Sequence, residues 1–290
     1  MEIKAIVDCQ TILGEGPLWD VKEQKLYWID SYGSKIFRAD ENGDGVESWD
    51  VPEKIGSLAL RESGGAVLSL ANGFYLFDFE TGQSELIQAI EHKGENVRMN
   101  DGKVDKRGRF LSGSLETTET QALGVLYSLG ADRQVTQLDD NITVSNGPCW
   151  NPDHSIFYFA DSRSRAIWAY DYDLETGLVA NKQKFCDFAE EDGLPDGATV
   201  DAEGCVWSAG VYKSKIHRFD PAGKKILSID MPVVCVTSVM FGGPNLDRLY
   251  ATSMLRAPVP GITETGVEAG SLFVIDGLDV RGLPEYRYAG

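Results

Sequence analysis

The chain has 290 residues, with 27 Lys and Arg against 45 Asp and Glu, a formal charge of −18. That excess of negative charge repels nucleic acid and anionic membrane surfaces, so neither is expected as a partner. A composition that is 42% hydrophobic, 10% aromatic and 25% charged is that of a folded chain with a core, not of a disordered one.

The first nine residues, Met1 to Cys9, lack the apolar core and small-residue cleavage site of a signal peptide. No apolar stretch approaches the roughly 20 residues that cross a bilayer. A cytoplasmic location is expected. Cys9, Cys149, Cys186, Cys205 and Cys235 are widely spread and form no CxxC pair, which argues for reduced thiols. His92, His154 and His217 lie too far apart in sequence to suggest a histidine metal site.

In chain order, residues 1–7 read as an outer strand. One pattern then recurs: a small or polar turn, a short apolar run, an aromatic-rich strand, and an aliphatic strand ending at Asp. Gly16-Pro17-Leu18-Trp19-Asp20, Lys25-Leu26-Tyr27-Trp28-Ile29-Asp30 and Lys35-Ile36-Phe37-Arg38-Ala39-Asp40 form its first copy. Weaker copies begin near Ile55-Gly56-Ser57-Leu58 and Asn100-Asp101-Gly102-Lys103. A close one runs from Gly147-Pro148-Cys149-Trp150 through Ile156-Phe157-Tyr158-Phe159-Ala160-Asp161. Two more begin at Gly197-Ala198-Thr199-Val200 and Val236-Thr237-Ser238-Val239.

About six units spaced by roughly 40–50 residues have the period of propeller blades. Radial four-stranded sheets also leave few open edges, which a β-sandwich, the competing arrangement, does not achieve. The expectation is an all-β, six-bladed β-propeller over residues 1–290 as a single domain, with residues 1–7 closing the ring as an outer strand of the sixth blade. Trp28, Trp168 and Trp207 are expected to pack between blades.

Four polar side chains interrupt the starts of innermost strands: Glu15, Asn100, Asn146 and Asp196. Asn-Gly and Asp-Gly often mark turns. Four in phase would instead converge at one mouth of the channel, offering only oxygen donors, as hard cations prefer.

The segments Leu13-Gly14-Glu15-Gly16-Pro17, Asn100-Asp101-Gly102-Lys103-Val104-Asp105, Ser145-Asn146-Gly147-Pro148, Pro195-Asp196-Gly197 and Val236-Thr237-Ser238 resemble the SMP-30/gluconolactonase/luciferin-regenerating-enzyme family of six-bladed lactonases. The resemblance implies one divalent metal held by Glu15, Asn146 and Asp196 in the central channel, calcium first, with zinc, magnesium, manganese or iron as alternatives. It implies Arg98 and Asn100 as substrate contacts. Where the family has Gly-Thr-Met and then an acidic contact, this chain reads Gly113-Ser114-Leu115-Glu116-Thr117-Thr118-Glu119, so Glu116 and Glu119 both remain candidates.

The implied activity is hydrolysis of a sugar lactone to its aldonic acid in carbohydrate metabolism. Asp196 would serve as general base and then acid, kept ionised by the neighbouring cation. A G-x-S-x-G elbow and phosphate-binding glycine loops are absent from the sequence. Cys149 beside Trp150 reads as a core thiol. Hydrolysis of other esters or organophosphates, or a non-catalytic binding platform, are the alternatives. Specificity is expected to rest on the loops 116–123 and 255–268, and the chain is expected to be a monomer.

Overall fold

The computed structural model of the protein describes residues 1–257 and 266–290. Positions 258–265 of the expected specificity loop 255–268 therefore lie outside the described residues. Strand β1 (Glu2–Val7) precedes the first blade, which comprises β2 (Gly14–Asp20), β3 (Lys25–Asp30), β4 (Lys35–Ala39) and β5 (Glu47–Asp50). The second blade holds β6 (Ile55–Leu60), β7 (Ala66–Leu70), β8 (Gly73–Asp78) and β9 (Gln83–Ala89). The third holds β10 (Val97–Val104), β11 (Phe110–Glu116), β12 (Gly124–Leu129) and β13 (Val135–Ile142). The fourth holds β14 (Ser145–Trp150), β15 (Ile156–Asp161), β16 (Ala166–Asp173) and β17 (Leu178–Asp187). The fifth holds β18 (Leu194–Val200), β19 (Val206–Val211), β20 (Lys215–Phe219) and β21 (Lys225–Asp230), and β22 (Val236–Gly242), β23 (Arg248–Ser253) and β24 (Leu272–Asp276) follow.

Each blade is an antiparallel meander, and β1 pairs with β24 to complete the sixth in the order β1-β24-β23-β22. The expected ring closure is thus present, joining the two ends of the repeat by main-chain hydrogen bonds. The expected six-bladed propeller is the observed fold. Its helical content among the described residues is two 3-10 turns, Ser162–Ser164 and Glu190–Asp192.

Alternating side chains explain the ring. Successive residues of a strand face opposite sides of its sheet. In β3, Tyr27 and Ile29 pack with Ile55, Leu58 and Leu68 of the second blade. Leu26 and Trp28 of the same strand pack with Tyr250, Leu272 and Val274 of the sixth. Similar two-blade clusters fill the other four seams. Trp28 and Trp207 lie in such seams, fully buried, as expected. Trp168 also packs against the seam between the third and fourth blades, but at its edge: it is only partly buried, and Lys182 and Lys184 lie over its ring.

The innermost strands share a second feature that the sequence pattern only hinted at. In all six, the strand accommodates one more residue than its neighbour near its start, between Glu15 and Leu18, Ile55 and Ser57, Met99 and Gly102, Asn146 and Cys149, Pro195 and Ala198, and Val236 and Ser238. Such bulges re-aim side chains and increase local twist. They explain the recurrent glycine: Gly147 has φ +53°, and a Cβ there would come within 2.7 Å of the Asp196 main-chain oxygen.

The residues after β24 cross the face opposite the bulges. Gly282 bridges to Asp201 of the fifth blade, whereas Tyr288 bridges to Arg61 of the second. Tyr288 is fully buried and donates to the Gly130 main-chain oxygen at 2.8 Å. Arg287 pairs with the buried carboxylate of Asp20. This carboxy-terminal strap covers the lower end of the channel, where Glu285 and Tyr286 line a cavity with Asp101, Lys103 and Met240.

Candidate metal and active site

The bulges bring distant sequence positions to one place. A solvent-open cavity of about 510 Å³ at the upper mouth is lined by Glu15, Arg98, Asn100, Asn146 and Asp196, together with Tyr32, Glu119, Ser162 and Tyr212. All five residues expected at the site are there, each no more than 8% exposed. The second and sixth blades supply no carboxylate at the bulge: the former has Gly56, and the latter has Thr237, whose hydroxyl turns aside to the Gly14 main-chain oxygen.

The amides are fixed by a chain of hydrogen bonds. Arg98 Nη1 donates to Asn100 Oδ1 at 2.8 Å. Asn100 Nδ2 donates to the Ser145 main-chain oxygen at 2.8 Å and to Asn146 Oδ1 at 3.0 Å. Asn146 Nδ2 donates to Ser162 Oγ at 2.8 Å, and Ser162 donates to the Pro195 main-chain oxygen at 2.6 Å. Below, the hydroxyls of Ser57, Ser69 and Ser112 each lie 3.1 Å from the Asn100 main-chain oxygen, holding the bulged peptide.

The carboxylates are in electrostatic conflict. Burial, then the charges of Asp196 and Asp101, push Glu15 well above the usual carboxylate range. Burial, then Asp101 and Glu119, push Asp196 up likewise. Asp101 lies below, accepts the Gly147 N–H at 2.9 Å, and is raised to about 6, chiefly by burial. The expected ionisation of Asp196 is therefore not set by the polypeptide alone, because desolvation and like charge disfavour it. Arg98 lowers both values only in part.

A divalent cation fits this set. Two buried carboxylates and a carboxamide oxygen are hard oxygen donors, and the repulsion between the carboxylates is relieved when a positive charge lies between them. Among the described residues, the three-residue acidic or thiol cluster Asp201, Glu203 and Cys205 is a different matter. Arg218 bridges Asp201 and Glu203, so that cluster already has a cation of its own and keeps only part of its negative charge.

The two candidate glutamates separate. Glu116 turns back on its own loop, accepting from Thr118 N, Thr118 Oγ1 and Thr120 N, and the Thr118 hydroxyl leads in lowering it to about 2. Glu119 lines the cavity and is held by Arg163, whose Nε and Nη2 lie 2.7 and 2.6 Å from Oε2. Cys149 lies away from this mouth, 2% exposed, with burial raising its thiol to about 12.

Sequence reasoning missed Tyr32, Ser162, Arg163 and Tyr212. A signal existed: Asp30-Ser31-Tyr32 and Asp161-Ser162-Arg163 occupy the same place in their repeats, after the second strand. The preceding aspartates explain the geometry, since Asp30 accepts Leu13 N and Gly33 N, and Asp161 accepts Thr143 N and Val144 N. Tyr32 also faces the guanidinium of Arg98, 5.3 Å from its ring centre.

Six blades around an axial mouth lined by two carboxylates, two amides and an arginine define a β-propeller with an oxygen-donor pocket. The chain belongs to the SMP-30/gluconolactonase/LRE-like family, whose sequence model matches residues 13–255. Regucalcin of Xenopus laevis is 34% identical over 296 aligned positions, covering 100% of this chain and 99% of that protein. A solved luciferin-regenerating enzyme superposes with a TM-score of 0.92 at 28% identity, covering 100% of this chain and 99% of the other. A calcium-binding regucalcin from Agrobacterium tumefaciens gives 0.91 at 25% identity, covering 99% and 97%.

Proposed function

We propose that this protein is a divalent-metal-dependent hydrolase that opens a sugar lactone to its aldonic acid. Family membership supports a hydrolase of the lactonase type. The observation that carries the finer reading is the convergence of Glu15, Asn146 and Asp196 on one cavity, with two carboxylates whose charges the polypeptide compensates only in part.

Glu15, Asn146 and Asp196 would hold the cation, with calcium favoured by the oxygen-only donors and by the calcium-binding relative. When bound, that ion supplies polarisation of the lactone carbonyl and neutralises charge developing on its oxygen. Asp196 accepts a proton from the attacking water and returns it to the ring oxygen as the C–O bond breaks. Arg98 and Asn100, preset by their mutual hydrogen bond, orient substrate oxygens. Glu119 offers a carboxylate oxygen to a sugar hydroxyl from the third blade. Leu13, Leu115, Val144, Leu194 and Met254 form an apolar collar that strengthens these interactions.

Acid release from a panel of sugar lactones, before and after chelation and calcium add-back, tests the reading. Activity is expected to vanish with chelator, return with calcium, and be absent from Asp196→Ala. Activity indifferent to chelation, or retained in that variant, overturns it.

A further inference from the structure

We infer that Ser162 and Arg163, neighbours on the 3-10 turn Ser162–Ser164, are positioning residues that preset the ion site and the substrate site respectively. The inference deepens the lactonase reading and rests on it.

Ser162 has one hydroxyl proton. The Pro195 main-chain oxygen, 2.6 Å away, can only accept, so that proton is committed to it. Ser162 Oγ must then accept from Asn146 Nδ2 at 2.8 Å. A carboxamide whose nitrogen is held on one side presents its oxygen on the other. From the opposite end, Arg98 fixes Asn100 Oδ1, so Asn100 offers Nδ2 to Asn146. A reversed Asn146 would oppose two N–H donors and aim a donor at the cation. Both constraints select the same orientation, with Oδ1 inward. Ser162 also anchors the peptide oxygen immediately before Asp196, so one buried hydroxyl links ligands from two blades.

Arg163 acts on the third blade. Its Nε and Nη2 both engage Oε2 of Glu119, leaving Oε1 for a sugar hydroxyl. The Glu119 main chain is fixed separately, its N–H donating to the Glu116 main-chain oxygen at 2.9 Å, so Arg163 acts on the carboxylate alone. A single turn thus serves two different tasks through adjacent side chains.

The test titrates metal-stripped protein with calcium chloride by calorimetry and measures gluconolactone kinetics separately. Ser162→Ala is expected to weaken calcium affinity about 10–100-fold, the usual effect of losing a group that orients a ligand, whereas Ser162→Thr retains it. Arg163→Ala is expected to leave calcium affinity within about twofold while raising KM about tenfold with little change in kcat, and Arg163→Lys to recover part of the loss. Thermal melts establish folding, and Ser162→Cys, which keeps the volume but weakens the acceptor, serves if the alanine variant does not fold. Wild-type calcium affinity in Ser162→Ala or Ser162→Cys, or an unchanged KM in Arg163→Ala, overturns this inference alone. A wild-type protein that takes up no calcium overturns the ion-site part of the inference, and one that in addition opens no lactone overturns the lactonase reading with it.

Discussion

Asn100 donates one carboxamide to both Ser145 O and Asn146 Oδ1, tying the innermost strands of the third and fourth blades together at the floor of the cavity. The bond is structural as well as chemical, because Arg98 relies on Asn100 Oδ1 from the other side. Asn100→Leu removes the acceptor of one buried group and the donor of two others. The expected cost is about 1–3 kcal/mol in urea denaturation of the metal-free protein, alongside loss of lactone turnover. Unchanged stability would mean that the chain of hydrogen bonds is replaced by water.

Glu15 and Asp196 predict the opposite trade. Both carboxylates are raised by burial first and by neighbouring acids second, so the folded chain holds their protons more tightly than the unfolded chain. Their stabilising contribution is full below the ordinary carboxylate range and is lost as pH rises through their folded values. Asp196→Asn should therefore stabilise the metal-free protein at pH 8, by about 1–3 kcal/mol, and by progressively less toward pH 4. Chemical denaturation in chelator at the two pH values measures this. A destabilised variant at pH 8 would show that the charge is already compensated.

The blade count was legible because strand alternation and turn glycines repeat along the chain, and Glu15, Asn100, Asn146 and Asp196 because they break that repeat at the same point; only the family resemblance set Glu15, Asn146 and Asp196 apart as the metal-holding three. Thr237 shows the limit: it occupies an equivalent bulge, yet its hydroxyl is drawn to the Gly14 main-chain oxygen. Nothing in its local sequence encodes that neighbour. Glu119 and Glu116 were inseparable for a related reason, since their fates depend on Arg163 from the next blade and on a self-capping threonine turn. The strap after β24 was unread because its partners, Asp20, Arg61 and Gly130, lie on three separate blades.

Ion uptake should be coupled to proton release. Carboxylates with raised values are partly protonated in the metal-free protein, and the cation requires them ionised. Calcium titrations near pH 6 in buffers of different ionisation enthalpy should give apparent heats that vary with the buffer, and affinity should fall as pH drops from 8 to 5. Asp101, raised to about 6 beneath Glu15 and Asp196, gains a proton in the same window and lessens the repulsion on Asp196. Heats independent of buffer would show that Glu15 and Asp196 are already fully ionised before calcium arrives.

The strap offers a test separated from the chemistry. Arg287 pairs with Asp20, which is 5% exposed and otherwise accepts the N–H groups of Lys22 and Glu23 in the turn after β2. Removing the guanidinium leaves a buried carboxylate with only those main-chain partners. Arg287→Ala is expected to cost about 3–5 kcal/mol, the usual range when one member of a buried pair is lost. The double variant with Asp20→Asn should recover much of that, because the remaining side chain carries no charge. Both effects should appear in denaturation midpoints while calcium affinity stays near that of the wild type, since the strap and the cavity lie at opposite ends of the channel. A large loss of calcium affinity in Arg287→Ala, with the protein still folded, would show instead that the strap sets the geometry of the innermost strands.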